Sequence, residues 1–246
     1  MKVLLFIVGV IMGITPLRAQ DIPAMVHVAG GSFNMGSDQG ETDEKPVHSV
    51  TVGEFWMAKT ETTVKQWKDF CTNTDRPMPN APWFGFVDDH PIVNISWDDA
   101  VAYCYWLREK TGKKFRLPTE AEWEFAAGGG SKWSGLLYSG DAIADSVAWY
   151  AHHSNGTMPV AQKHPNALGL YDMSGNVWEW CSDWYEDNYG KSGLSKNPTG
   201  PEGGKFKVLR GGAWDIGARN TRNTYRNPLA PSSRNHNKGF RVVYSN

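Results

Sequence analysis

The sequence predicts a loop-rich α+β domain in which short strands are interleaved with three helices and aromatic packing replaces long regular elements. Three observations carry this expectation. Twelve Trp stand among 26 Gly and 14 Pro, while only 21% of residues are charged, a composition suited to buried rings held by turns. The apolar pattern falls into short runs of period two or of helical spacing, each closed by Gly, Pro or Asn. No linker, repeat or low-complexity tract interrupts the roughly 225 residues after the leader, a length suited to one large domain.

Met1–Gln20 has the layout of a secretory signal, with Lys2, an apolar core Val3–Ile14 and a small-residue cleavage site at Leu17-Arg-Ala19. The apolar run is too short to span a bilayer comfortably. A mature domain of residues 21–246 is therefore expected, periplasmic or secreted and without stable membrane insertion. Loss of Lys2 and Arg18 takes the basic count from 25 to 23 against 26 acidic residues, a net of −3. That balance argues against a nucleic-acid partner or an anionic membrane surface. Three Cys leave one over in any disulfide scheme. Cys71 and Cys104 fall in helical stretches and either pair or pack as small apolar residues, whereas Cys181 reads as a packing residue.

Taken in order, Met25–Val28 alternates as a strand, and Ser32–Gly36 is expected to pair with it through the Gly30-Gly31 turn. Val47–Phe55 is a further strand with Val50 and Val52 on one face, and Met57–Thr62 continues extended. Thr63 caps a helix over Val64–Thr72 that presents Trp67 and Phe70. Arg76–His90 is Pro-rich and aromatic, hence extended, and Pro91–Ile95 reads as a short buried strand. Ser96 caps a second helix, Asp98–Lys110, which Gly112 ends. Thr119 starts the third, with Glu122 completing a capping box and Gly128–Gly130 as its stop.

Glu120, Glu122 and Glu124 invite an acid/base site, but carboxylates at a helix start are better read as caps and dipole partners. The doublet His152-His153 invites a metal, yet neighbours on an extended segment point to opposite faces. No His-Glu-x-x-His spacing accompanies it, so a zinc or iron centre is not supported. Phe206–Arg210 and Gly239–Tyr244 are the closing strands. Gly211-Gly212 marks a place where the backbone approaches something closely.

Asn166–Trp184, NALGLYDMSGNVWEWCSDW, is too aromatic for a loop and too rich in Gly and Asn for a helix. Its apolar pieces read as too short to be elements of their own. Indoles buried on irregular backbone leave carbonyls in need of partners, and a hard cation is one such partner. Asp172 and Glu179 with the carbonyls of Gly175 and Val177 form an oxygen set of the kind Ca²⁺ prefers. The alternative is that Asp172 caps a turn and Glu179 pairs with an Arg. Ala213–Lys238 carries Asn220, Asn223, Asn227, Asn235 and Asn237 among several Arg. It is either an exposed recognition surface or a loop tied by its own hydrogen bonds. Its candidate contact residues are Trp214, Arg219, Asn220, Arg222 and Tyr225.

Gly30–Gly36, Glu61-Thr-Thr with Trp67 and Phe70, and Arg116–Glu124 are followed by Gly169-Leu-Tyr, Gly175–Trp180, Arg210–Trp214 and Gly239–Arg241. With these motifs in this order the chain resembles the formylglycine-generating enzyme family, the sulfatase-modifying-factor domain. The resemblance implies a C-type-lectin-like fold, with small twisted sheets, flanking helices and long irregular loops. It also implies structural Ca²⁺ at Asp172, Gly175, Val177 and Glu179. Sulfatase-modifying members use two Cys, five residues apart after Arg-Gly-Gly, to bind copper and oxidise a substrate Cys with O₂, because soft thiolates hold Cu(I). Those positions fall at about Ile216 and Thr221 here. Copper and the oxidase activity are therefore not expected, and no catalytic residue is assigned.

The function implied is an exported, Ca²⁺-stabilised binding or accessory module for a protein, peptide or glycan ligand. Two alternatives stand beside it. One is a formylglycine-generating or related metal-dependent oxidase acting on a sulfatase Cys through other ligands. The other is a ligand-binding variable protein of a diversity-generating retroelement, whose variable tail the Arg/Asn-rich stretch resembles.

Overall fold

The computed structural model describes residues 22–133, 135–151, 153–187 and 195–246; the expected signal segment Met1–Gln20 and His152 of the doublet lie outside them, apart from His153. Along the chain run β1 (Met25–Val28), β2 (Gly31–Met35), β3 (His48–Val52), β4 (Phe55–Ala58), α1 (Val64–Thr74), α2 (Trp97–Thr111), β5 (Lys114–Arg116) and α3 (Glu120–Ala127). There follow α4 (Ala144–Val147), β6 (Ala148–Trp149), β7 (Ser174–Gly175), β8 (Trp178–Trp184), β9 (Lys207–Arg210), β10 (Asn227–Leu229), β11 (Lys238–Gly239) and β12 (Val243–Ser245).

The helix starts follow from local chemistry. Thr63, Ser96 and Thr119 each accept from the backbone three residues on, and Gln66, Asp99 and Glu122 return the bond to the cap backbone. Each such cap stabilises its helix by about 1 kcal/mol. Gly112, in the left-handed region at φ 70°, ends α2.

Two four-stranded sheets form the frame, ordered β1-β4-β12-β5 and β10-β9-β8-β11, with the pairs β2-β3 and β6-β7 beside them. β1 pairs with β4, and β2 with β3, so the hairpin expected across Gly30-Gly31 does not form. The chain instead passes from one sheet to another there. Gly30 runs so close to the β3 end that a Cβ would sit 2.6 Å from the Val52 carbonyl oxygen. Pro91–Ile95 is buried as expected at Ile92, Val93 and Ile95, yet it forms only a single bridge, Pro91 to Thr63. Asn94 turns into the left-handed region at φ 61° and breaks the extended run.

Asn166–Trp184 departs further from what its sequence suggests. Its second half is β8, a seven-residue strand, which pairs with β9 on one side and β11 on the other. Alternate side chains on these strands point to opposite faces, and the two faces are two cores. Trp178, Trp180 and Leu209 belong to one, with Trp67, Phe70, Tyr103 and Phe240; Cys181 and Val208 belong to the other, with Phe33, Trp123 and Phe125. Trp67 anchors the first core, its ring 4.9 Å from Phe70, 5.6 Å from Tyr103 and 5.9 Å from Phe240. Burying each such side chain contributes about 1.5–3 kcal/mol. Cys71, Cys104 and Cys181 are all free and buried, the first two in the same core as Trp67. No helix of the described residues is long and apolar enough to cross a membrane.

Candidate functional site

Where β8 leaves the turn Ser174–Val177, three buried carboxylates gather around one guanidinium. Glu179 on β8 is fully buried; its Oε1 accepts from Arg241 Nη2 at 2.7 Å, and its Oε2 accepts from Arg241 Nε and from Trp123 Nε1, both at 2.7 Å. Arg241 also donates to the carbonyls of Ala58 at 3.2 Å and Tyr171 at 2.8 Å. Glu61, just past β4, accepts from Val177 N at 3.0 Å and Asn176 Nδ2 at 2.7 Å. Asp172, in the left-handed region at φ 57°, accepts from Ala161 N at 2.7 Å through Oδ2. Its Oδ1 is buried with no partner among the described residues.

Three carboxylates against one guanidinium leave net negative charge in a water-poor interior. Burial, opposed only by the Ala161 N–H and Arg241 and reinforced by the charge of Glu179, pushes Asp172 up to about 6. Burial, then the charges of Asp172 and Glu179, pushes Glu61 well above the ordinary carboxylate range. Either protons or a cation must offset that charge. The orphaned Asp172 oxygen and the excess charge suit a hard divalent ion. Glu179 is paired with Arg241 on both oxygens, the arrangement named as the alternative to a metal, and would hold a cation only by sharing those oxygens. Among the described residues no three His, Cys, Asp or Glu side chains converge as metal ligands; two carboxylates with two carbonyls do not require that.

The second acidic group lies at α3. Glu122 is the cap expected of it and also receives Arg116 at 2.6 and 2.7 Å. Glu120 and Glu124 are not caps but buried ion-pair partners. Glu120 receives Arg226 at 2.6 and 2.8 Å, and Glu124 receives Arg210 together with Gly36 N at 2.7 Å. Nearby, Glu44 receives Arg222 at 2.9 and 2.6 Å. The Arg-rich tail is thus fastened to the body by buried pairs.

That fastening separates the five candidate contact residues. Arg222 is 7% exposed and committed to Glu44, so it does not belong to a recognition surface. Arg219 is exposed and pairs with Glu41 at 2.5 Å. Asn220 donates its backbone N–H to Gly217 O at 3.0 Å. Behind them Gly212, φ 80°, lies where a Cβ would come 2.6 Å from Thr221 Cγ2, the close approach expected there. Tyr225 is half-buried beside Trp178, with ring centroids 6.0 Å apart. Trp214 stands in a different group, 5.6 Å from Phe84, 5.8 Å from Trp83 and 5.7 Å from His236.

Of this aromatic group the sequence singles out only Trp214. Trp83 is 69% exposed and lies 4.4 Å from the His236 ring. Asp215 Oδ2 is 3.1 Å from His236 Nε2, and Asn237 Nδ2 donates to both Asp215 oxygens at 2.8 and 2.9 Å. An exposed indole beside a carboxylate–imidazole pair offers stacking and hydrogen bonds to one ligand. Trp83 and Phe84 are marked in the sequence only by the Pro-rich aromatic run Arg76–His90. Of the His doublet, His153 lies 3.5 Å from Asp145 Oδ1, a surface pairing.

The paired small sheets, three capped helices and long loops are the C-type-lectin-like fold of the formylglycine-generating-enzyme type. Residues 13–246 match the family described as sulfatase-modifying factor enzyme 1-like domain, and the chain belongs to that family. It is 36% identical to serine/threonine-protein kinase Pkn1 of Chlamydia trachomatis over 89% of its own length, but spans only 38% of that protein. It is 32% identical to the formylglycine-generating enzyme of Streptomyces coelicolor, covering 92% of this chain and 90% of that one. Among solved structures it is similar to PvdO from Pseudomonas aeruginosa, with TM-score 0.82 and 32% identity over 93% of this chain and 96% of that one.

Proposed function

We propose that this chain is an exported, Ca²⁺-stabilised binding or accessory module that does not carry out copper-dependent oxidation of a sulfatase Cys. What carries the reading is the state of its sulfur. The sequence holds three Cys; all three are buried in α1, α2 and β8, and burial pushes each thiol above its ordinary range. A Cu(I) site of the family type needs two thiolates side by side, and the segment after Arg210-Gly-Gly carries Ile216 and Thr221 instead.

The ligand surface is Trp83 with Phe84, backed by the buried Trp214 and flanked by Asp215 and His236. Ca²⁺ is assigned to Asp172, Glu179 and the carbonyls of Gly175 and Val177, where it would offset buried charge and pin the turn that opens β8. Export rests on the signal-like leader. The name of the Streptomyces relative favours the oxidase as the second reading, because the two chains cover each other almost fully.

One experiment separates them. The protein is incubated with copper, O₂ and a Cys-x-Pro-x-Arg peptide, and aldehyde is sought by mass spectrometry. In parallel it is screened on glycan and peptide arrays beside Trp83→Ala. The expected result is no aldehyde above the protein-free control and array binding lost in Trp83→Ala. Aldehyde formation would overturn the proposal.

A further inference from the structure

A second groove opens between the C-terminal end of α1 and the entry to α2. Phe70 and Cys71 come from α1, Met78 from the following segment, Ile95 from the turn before α2, and Arg76 and Arg234 stand at its sides. It shares no lining residue with the Trp83–Trp214 wall and encloses about 470 Å³, within the range of small-ligand sites.

Its charged side chains are Arg76, Arg234 and Asp99. Asp99 receives Arg234 at 2.7 and 3.0 Å and the Ser96 N–H at 2.9 Å, all on Oδ2, so its charge is paired with Arg234. Asn94 donates its side-chain amide to Asn80 O at 2.8 Å, and the Cys71 thiol faces Pro77 O at 3.6 Å. Arg76 lies over the Phe70 ring at 5.6 Å and enters no ion pair among the described residues. Trp67, which also lines the groove, is 4% exposed, and its buried indole N–H lies beside the Cys71 thiol. With Asp99 paired to Arg234, the apolar floor is edged by one guanidinium, Arg76, that is complementary to a negatively charged acceptor.

We propose that this groove binds a carboxylate joined to a compact apolar group, with the carboxylate on Arg76 and the apolar group against Phe70, Met78 and Ile95. The carboxylate belongs either to a free small acid or to the C-terminus of a peptide. Neither source depends on the function proposed above, since the two sites have no residue in common.

The test is titration calorimetry of the full chain with 3-phenylpropionate, its amide, and Ala-Ala-Phe with a free or an amidated C-terminus, each up to roughly 10 mM. Both free carboxylates are expected to bind at least about tenfold more tightly than their amides, and Arg76→Met to abolish that preference. Tighter binding of the tripeptide identifies a peptide terminus, and tighter binding of phenylpropionate a small acid. Arg76 is exposed, so the variant should melt with the parent, which separates loss of binding from loss of fold. The occupant should also slow alkylation of Cys71, read by peptide mapping, with Cys104 and Cys181 as internal controls. Equal affinity for acid and amide, no heat from either acid, or unchanged binding by Arg76→Met would overturn the proposal.

Discussion

Arg222 and Arg219 lie three residues apart in the same Asn/Arg-rich tail, and their environments predict opposite responses to substitution. Arg222 and Glu44 have side chains 8% and 0% exposed, joined at 2.6 and 2.9 Å. Thr224 Oγ1 also donates to Glu44 at 2.6 Å and Glu41 N at 2.9 Å. Burial raises the Glu44 pKa, and the bonds from Arg222, Glu41 and Thr224 more than reverse that, leaving its carboxyl below 4.5. Arg222→Met keeps the stem but strands the carboxylate with two neutral donors. Removing one partner of a buried pair costs about 3–5 kcal/mol. For a domain of this size each kcal/mol is worth about 2–4 °C, so melting should fall by roughly 6–20 °C. Arg219→Ala removes an exposed pair worth about 0–1 kcal/mol and should melt within about 4 °C of the parent. The assay is thermal unfolding by circular dichroism at pH 7, repeated on Glu44→Gln and on the double variant. Because the Glu44 pKa is lowered in the folded state, its contribution is present above the unfolded value and lost as pH falls through the folded one. The gap between parent and Arg222→Met should therefore narrow below about pH 4.5. An Arg222→Met protein as stable as the parent would refute the buried-pair reasoning and return Arg222 to the ligand surface.

Two further outcomes follow from the site and the tail. If Asp172 helps hold Ca²⁺, a chelator should lower the melting temperature at pH 8, millimolar Ca²⁺ should restore it, and Asp172→Asn should remove the response. Asp172 sits at about 6, a raised value, so without Ca²⁺ stability should decline as pH rises from about 4 through 6. The Ca²⁺ effect should fade as pH falls through that range, and a flat response at every pH would show that the carboxylates are only structural. Gly212→Ala forces a Cβ to 2.6 Å from Thr221 Cγ2 at φ 80° and should cost more than about 1 kcal/mol, measured by urea unfolding. A neutral substitution there would mean the 220–221 turn is free to move.

What was legible in the sequence was what is written within a few residues. Thr63, Ser96 and Thr119 announced their helices because a capping box spans four positions. Gly211-Gly212 announced a close approach because the backbone there takes φ 90° and 80°. The family motifs carried the fold. Partners far along the chain were not legible. Nothing near Arg222 distinguishes an exposed guanidinium from one that meets Glu44 178 positions away. The strand character of Trp178–Trp184 was hidden because both its faces are buried, which removes the polar alternation that identifies a strand. The wall beside Trp214 was missed because Trp83 and His236 are brought together by two long irregular segments without periodicity.

The order β1-β4-β12-β5 has a consequence for how the molecule is made. Residues 243–245 stand between strands contributed by residues 55–58 and 114–116. A nascent polypeptide emerging from the ribosome holds the two flanking strands long before the piece that joins them exists. Half of this layer must wait, edges bare, until residues 243–245 have been made, and such distant contacts assemble slowly. Removing residues 243–245 would leave that gap permanently open.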